Sequence, residues 1–147
     1  MTDSEYKTVL IIGGGLAGSE AAWQLAERGI KVRLVEMRPG HMTPAHHSEY
    51  LAELVCSNSF KSLALHSAAA TLKYELAAMG SFVLKEALGH SVAAGMALAV
   101  ERNSFAQAVT QKISAHSNIT LVREEVLSIS ALLGDTSIDR ISLPQGH

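Results

Sequence analysis

The chain has 147 residues, 48% of them hydrophobic, and a formal charge of −2 from 12 basic and 14 acidic side chains. That length suits one domain with a real core, and together with a mean hydropathy of +0.18 it excludes a disordered chain. Lysines and arginines are scattered, without the basic stripe that binding nucleic acid unaided requires, and no apolar run approaches the roughly eighteen residues of a membrane span.

In chain order, polar residues Thr2 to Glu5 lead directly into the apolar run Val9-Leu10-Ile11-Ile12. That leaves no space for a signal peptide and leads us to expect a cytoplasmic protein. The run reads as a strand, broken by Gly13-Gly14-Gly15-Leu16-Ala17-Gly18. An alanine-rich helix follows, with Ala17, Ala21, Ala22, Leu25 and Ala26 on a small-residue face, and Gly29 stops it. A second strand, Lys31 to Glu36, completes the unit. The spacing Gly13-x-Gly15-x-x-Gly18, with Glu36 eighteen positions after the last glycine, is a dinucleotide-binding fingerprint. Gly13 permits the tight turn, Gly15 the close approach of a pyrophosphate, and Gly18 the close packing of helix on strand. The helix N-terminus offers unpaired N–H groups and a positive dipole end to the phosphates, and no lysine is needed, unlike in a Walker loop. Glu36 would accept from the ribose hydroxyls, which disfavours NADP relative to FAD or NAD. The same spacing alone also occurs in turns that bind nothing; strand, helix and acid together favour the ligand.

Beyond the turn Met37-Arg38-Pro39-Gly40, His41 to Glu49 reads as a loop on the ligand side of the sheet. Tyr50 to Val55 reads as a short helix interrupted by Cys56-Ser57-Asn58-Ser59, with a second helix starting there. Ala69, Leu72, Leu76 and Met79 fall at helical spacing up to Gly80, and Ser81 to Ala87 as a further helical turn. Val92 to Val100 is apolar enough for a buried strand or an extended crossing. Ser104 with Gln107 forms a capping box for a helix that buries Phe105, Ala108, Val109 and Ile113 and runs to about His116. Asn118 to Val122, Val126 to Ile129 and Asp139 to Leu143 read as short strands.

The single cysteine excludes an internal disulfide and a cysteine-rich zinc site. Cys56, placed at a helix start before Lys61, is either a dipole-stabilised reactive thiol or an inert buried one. His46 and His47 are adjacent and point apart, so with no carboxylate cluster to help them they form no metal site. Glu124 and Glu125 read as a solvated strand end.

Four blocks carry a resemblance: Ile12 to Ala22; Glu36-Met37-Arg38-Pro39; Thr43-Pro44-Ala45-His46-His47 running on to Glu53-Leu54-Val55-Cys56-Ser57-Asn58-Ser59; and Ala97 to Arg102. The sequence resembles the N-terminal part of the folate- and FAD-dependent tRNA (uracil-5-)-methyltransferases, relatives of glucose-inhibited division protein A. The third block is the specific one. The resemblance implies a Rossmann-like three-layer α/β FAD/NAD(P)-binding domain, apparently truncated. Residues 1–129 would be the N-terminal part of that domain and 130–147 an unmatched tail. It implies FAD held by Gly13, Gly14, Gly15, Leu16, Ala17, Gly18, Glu36 and Arg38, and a catalytic role for Cys56 beside the flavin. It also implies methylenetetrahydrofolate as one-carbon donor, NAD(P)H as reductant and a T-loop uracil of tRNA as acceptor. Two departures accompany it: Ala93 stands where the family leads us to expect proline, and Met96 where it leads us to expect glycine. A chain of this length is expected to be inactive alone, with an exposed sheet edge that self-associates or takes a complementing C-terminal part. The rival readings are a non-catalytic nucleotide-binding or interaction module and a small FAD- or NAD-dependent oxidoreductase.

Overall fold

The computed structural model describes residues 8–128. Its elements are β1 (Val9–Ile12), α1 (Leu16–Glu27), β2 (Val32–Glu36), β3 (Ser59–Ser62), α2 (Ala68–Ala78), α3 (Phe82–Gly89), β4 (Ser91–Val92), β5 (Ala97–Val100), α4 (Arg102–Ala115) and β6 (Ile119–Arg123). They form a parallel sheet of order β1-β2-β6 and an antiparallel sheet of order β3-β5-β4. The fold is thus a small α/β domain with one parallel and one antiparallel sheet.

The parallel sheet follows from its alternation. Ile11, Leu34 and Leu121 stand opposite one another across three strands, as do Val32 and Ile119, so one face is a continuous apolar surface. Both crossovers advance in the same direction across the sheet, which puts α1 and α4 against that face and in contact with each other. Ala22 and Ala26 of α1 are buried there, as are Phe105, Val109 and Ile113 of α4. Among the described residues β1 pairs with β2 alone, and Ile12 at its end is 49% exposed.

Caps set the helix boundaries. Glu101, rather than Ser104, is the N-cap of α4: its carboxylate accepts from the N–H groups of Asn103 and Ser104, one turn before the expected capping box. Its pKa is lowered, first by those amide hydrogen bonds from Ser104. Glu20 of α1 reaches across to the start of α3, accepting from Ser81 Oγ at 2.9 Å, Phe82 N at 3.0 Å and Val83 N at 2.7 Å. Trp23, one turn further along, stacks on Phe82 with ring centroids 4.2 Å apart.

Several expectations are corrected. Tyr50 to Val55 is a turn, not a helix: Ala52 takes a φ of +53°, outside the helical region, and the turn is tied down where Leu51 N donates to Thr110 Oγ1 and Ala52 N to Gly14 O. A strand, β3, follows Cys56, and the next helix begins only at Ala68. Val92 to Val100 is a hairpin, β4 and β5, turning where Gly95 takes a φ of +60°. Leu72 on α2 and Met79, its C-cap, keep the expected helical spacing and are both exposed. Residues 126–128 form no strand, while Asp139 to Leu143 lies outside the described residues. No described helix is long and apolar enough to cross a membrane.

A Cβ built on Gly18 would lie 1.9 Å from the carbonyl oxygen of Gly13, whereas one on Gly89 meets nothing within 4 Å. Gly18→Ala is therefore expected to cost about 3 kcal/mol, since the obstacle is backbone. Gly89→Ala is expected to leave stability unchanged or raise it by up to about 1 kcal/mol. Urea unfolding of the two variants measures both, and equal midpoints would contradict the close packing of α1 on the turn.

Candidate cofactor site

Because β1 and β2 are parallel, with Ile12 opposite Val35, the turn after β1 and the end of β2 meet at the carboxyl-terminal edge of the sheet. Gly13 makes the turn with a φ of +95° and donates its N–H to Val35 O at 2.7 Å. Gly14 is buried, and its N–H donates to Glu36 Oε2 at 2.6 Å. A Cβ there would come within 2.4 Å of Leu51 Cδ2, so Gly14 serves packing and its amide is not available to a phosphate. Gly15 is different: it is exposed, a Cβ on it meets nothing within 4 Å, and as N-cap of α1 it brings no side chain to the helix end. The first turn of α1 therefore starts at an exposed residue and has no side-chain cap, the arrangement an anion requires. Ser19, fully buried, donates its hydroxyl to Gly14 O and braces the turn from behind.

Glu36 and Arg38 form a buried pair, 4% and 2% exposed. Glu36 Oε1 accepts from Arg38 Nε at 2.7 Å and from Arg38 N at 3.1 Å. Arg38 Nη1 also donates to Glu53 Oε2 at 2.9 Å. Burial pushes the Glu36 carboxyl up, but the hydrogen bonds from Arg38 and Gly14 and the guanidinium charge outweigh it, and the net pKa is lowered. Three of the roughly four acceptor positions of the carboxylate are filled, leaving one on Oε2 for a ribose hydroxyl. Arg38 is a clamp between two carboxylates, not an exposed phosphate ligand. The Arg38–Pro39 peptide bond is cis.

Beside Glu36 lies a cleft of about 180 Å³ lined by Gly13, Met37, Glu124, Glu125 and Val126. Glu124 and Glu125, read as a solvated strand end, are exposed just beyond β6, where they edge this cleft and lie within ion-pair distance of Arg33 and His41. Cys56 is exposed and lies in a bend before β3, not at the start of a helix. His46 bonds Thr43 through its ring, while His47 uses its backbone N–H on Glu53, and no described trio of His, Cys, Asp or Glu converges on a metal position.

Sequence reasoning missed two residues. Glu53 completes the Arg38 clamp from fifteen positions away, and Arg123 Nη1 donates to Arg38 O and Glu49 O. Both are ordinary charged residues in sequence, and only the tertiary return of the chain reveals them.

A parallel sheet carrying a glycine turn with an acid at the end of the next strand places the chain among small α/β domains that resemble FAD-binding folds. The solved structure of Aquifex aeolicus GidA, form II crystal, superposes with a TM-score of 0.64 over 86% of this chain and 21% of that one. At 17% identity this speaks for the fold alone. The chain belongs to the glucose inhibited division protein A family, whose model matches residues 8–142. It is 58% identical over 121 residues to the methylenetetrahydrofolate–tRNA-(uracil-5-)-methyltransferase TrmFO of Moorella thermoacetica, covering 82% of this chain and 28% of that protein. The TrmFO proteins of Prochlorococcus marinus (strain MIT 9313) and Bacillus subtilis (strain 168) are 56% and 54% identical, over 83% and 84% of this chain and 34% and 28% of theirs. The chain thus spans about a third or less of the length of the curated relatives it matches.

A carboxyl with a lowered folded pKa contributes stability that is present above its unfolded pKa and lost as pH falls through the folded value. Glu36→Gln is expected to cost about 3 kcal/mol at neutral pH, near the low end for a broken buried pair because Glu53 still holds Arg38. The gap between wild type and variant should stay constant above about pH 5 and close in more acid solution. Urea titrations across pH measure it, and a gap that persists at pH 2 would contradict the assignment.

Proposed function

We propose that this chain is the N-terminal, FAD-binding part of a methylenetetrahydrofolate-dependent tRNA uracil-5-methyltransferase, built as a Rossmann-like three-layer domain and working in the cytoplasm. The observation that carries the proposal is the identity of 58% to such an enzyme over 82% of this chain. The open face at Gly15 and the uncapped α1 N-terminus fit a pyrophosphate.

In this reading Gly15, Leu16, Ala17 and Gly18 hold the diphosphate through backbone N–H groups. Gly13 and Gly14 shape the turn, Glu36 accepts one ribose hydroxyl, and Arg38 holds Glu36 in place. Bound FAD supplies reducing equivalents, recharged by NAD(P)H, while the folate supplies the carbon that turns a T-loop uracil into 5-methyluracil. Cys56 is the residue of this chain assigned to that chemistry, as an exposed thiol without a hydrogen-bond partner among the described residues. The RNA is held by other parts of the family's longer polypeptide, in accord with the charge of −2 here.

Titration of the purified protein with FAD, followed by quenching of flavin fluorescence, tests the proposal. Wild type is expected to saturate, and Gly15→Val to bind at least about 100-fold more weakly with an unchanged circular dichroism spectrum, because the new side chain fills the diphosphate approach and nothing else. Cys56→Ser should bind FAD within about twofold of wild type, as a residue used in chemistry rather than in anchoring. Absence of saturable binding to wild type would refute the cofactor assignment.

A further inference from the structure

One acid in the network at the strand ends is engaged at both of its oxygens by protein donors alone. Glu53 follows directly on the turn at Leu51 and Ala52, and its side chain is 6% exposed. Its Oε2 accepts from Arg38 Nη1 and its Oε1 from His47 N, each at 2.9 Å. The backbone before it is fixed as well. Ala52 is fully buried at a φ of +53°, a conformation that residues with a Cβ rarely adopt, and its N–H is held by Gly14 O at 2.8 Å. Non-glycine residues persist in that region only where their surroundings over-determine them, and they gather at functional sites.

The role of Glu53 follows from the way Arg38 divides its donors. A guanidinium beside a single carboxylate favours a bidentate grip, with two parallel N–H bonds to the two oxygens. Arg38 does not hold Glu36 in that way. Its Nε donates to Glu36 Oε1 at 2.7 Å, whereas Nη1 is turned to Glu53 Oε2 and, at 3.4 Å, to Ser48 O. Glu36 Oε2 therefore receives Gly14 N and no guanidinium nitrogen, and it keeps an acceptor position. The backbone from which Arg38 projects is held too, since Arg38 O accepts from Arg123 Nη1 at 3.0 Å. With Glu53 withdrawn, the carboxylate left to Arg38 among the described residues is Glu36, and a second guanidinium bond would fill the position on Oε2.

We infer that Glu53 is the positioning residue for the adenosine ribose: it holds Arg38 to one guanidinium bond on Glu36 and so keeps Glu36 Oε2 open to a sugar hydroxyl. It acts through Arg38 and meets no ligand itself. This role rests on the cofactor reading given above, to which it adds the residue that sets discrimination between a ribose and a sugar without hydroxyls.

Calorimetric titration of the whole protein with ADP and with 2′,3′-dideoxy-ADP tests it, because the two differ only in those hydroxyls. One hydroxyl donating to a carboxylate is expected to make ADP bind wild type at least about tenfold more tightly. Glu53→Asp keeps the charge but draws it back by one methylene, out of reach of Nη1, and should bring the ratio to within about twofold of unity by weakening ADP alone. Glu53→Gln keeps the reach without the charge. Its amide oxygen still accepts from Nη1, Arg38 stays paired with Glu36, and the ratio should remain within about twofold of wild type. Glu53→Leu removes the acceptor, should lose the ratio as well, and decides the matter if Glu53→Asp does not fold. Equal weakening of both nucleotides in Glu53→Asp or Glu53→Leu, with the ratio kept, would mark a merely structural residue and overturn the inference, as would loss of the ratio in Glu53→Gln. A wild type that binds both nucleotides alike also overturns it while leaving the nucleotide site in place. A wild type that binds neither refutes the cofactor reading, and the role of Glu53 falls with it.

Discussion

The hydrogen bond from Gly14 N to Glu36 Oε2, 2.6 Å long, is the contact on which the rest of the site depends. It joins the end of β2 to the turn after β1, and a buried carboxylate holds that position only while its charge is compensated. Arg38 provides the compensation, Glu53 anchors Arg38, and Glu53 is itself carried by the segment that begins with Leu51 and Ala52. That segment returns to the turn: Leu51 packs over Gly14, and Ala52 N donates to Gly14 O at 2.8 Å. The circuit is closed. A glycine turn, a strand end and a stretch nearly forty residues further on hold one another in place, and Cys56 follows directly from that stretch.

The same circuit divides the charge of the site. Glu36, Glu53, Glu124 and Glu125 gather around the strand ends, while the positive end of α1 opens beside Gly15. A ligand that is anionic at one part and hydroxyl-bearing at another is oriented by such a field, with its phosphates toward the helix and its sugar toward the acids. Arg123 moderates the acidic side without neutralising it, since its guanidinium is directed to the carbonyls of Arg38 and Glu49.

What could be read in the sequence was local. The strand–turn–helix–strand unit from Val9 to Glu36 announced itself through glycine positions and periodicity, and each element lies within a residue or two of its expected bounds. The stretch from Tyr50 to Ser62 was misread because its apolar spacing resembles a helix, while Thr110 and Gly14, distant in sequence, hold it in a turn through hydrogen bonds to Leu51 and Ala52. The hairpin of β4 and β5 was hidden for a different reason. Its strands are two and four residues long, too short for a period to emerge. At the site, the glycine turn and Glu36 were legible, but the engagement of Arg38 by Glu53 was not, because a charge pair fifteen positions apart on irregular backbone leaves no pattern in a single chain.

Glu20 has a further consequence. It sits one turn inside α1, the helix whose N-terminus borders the glycine turn, and it closes the first turn of α3 through three hydrogen bonds. Any tilt of α1 takes this acceptor away from the first amides of α3, at a cost of about 1 kcal/mol, and leaves the helix only its own cap, Ser81 Oγ accepting from Leu84 N. The two helices are therefore fastened to each other through one carboxylate, and the helix that begins at Gly15 takes its orientation from α3 as well as from the sheet.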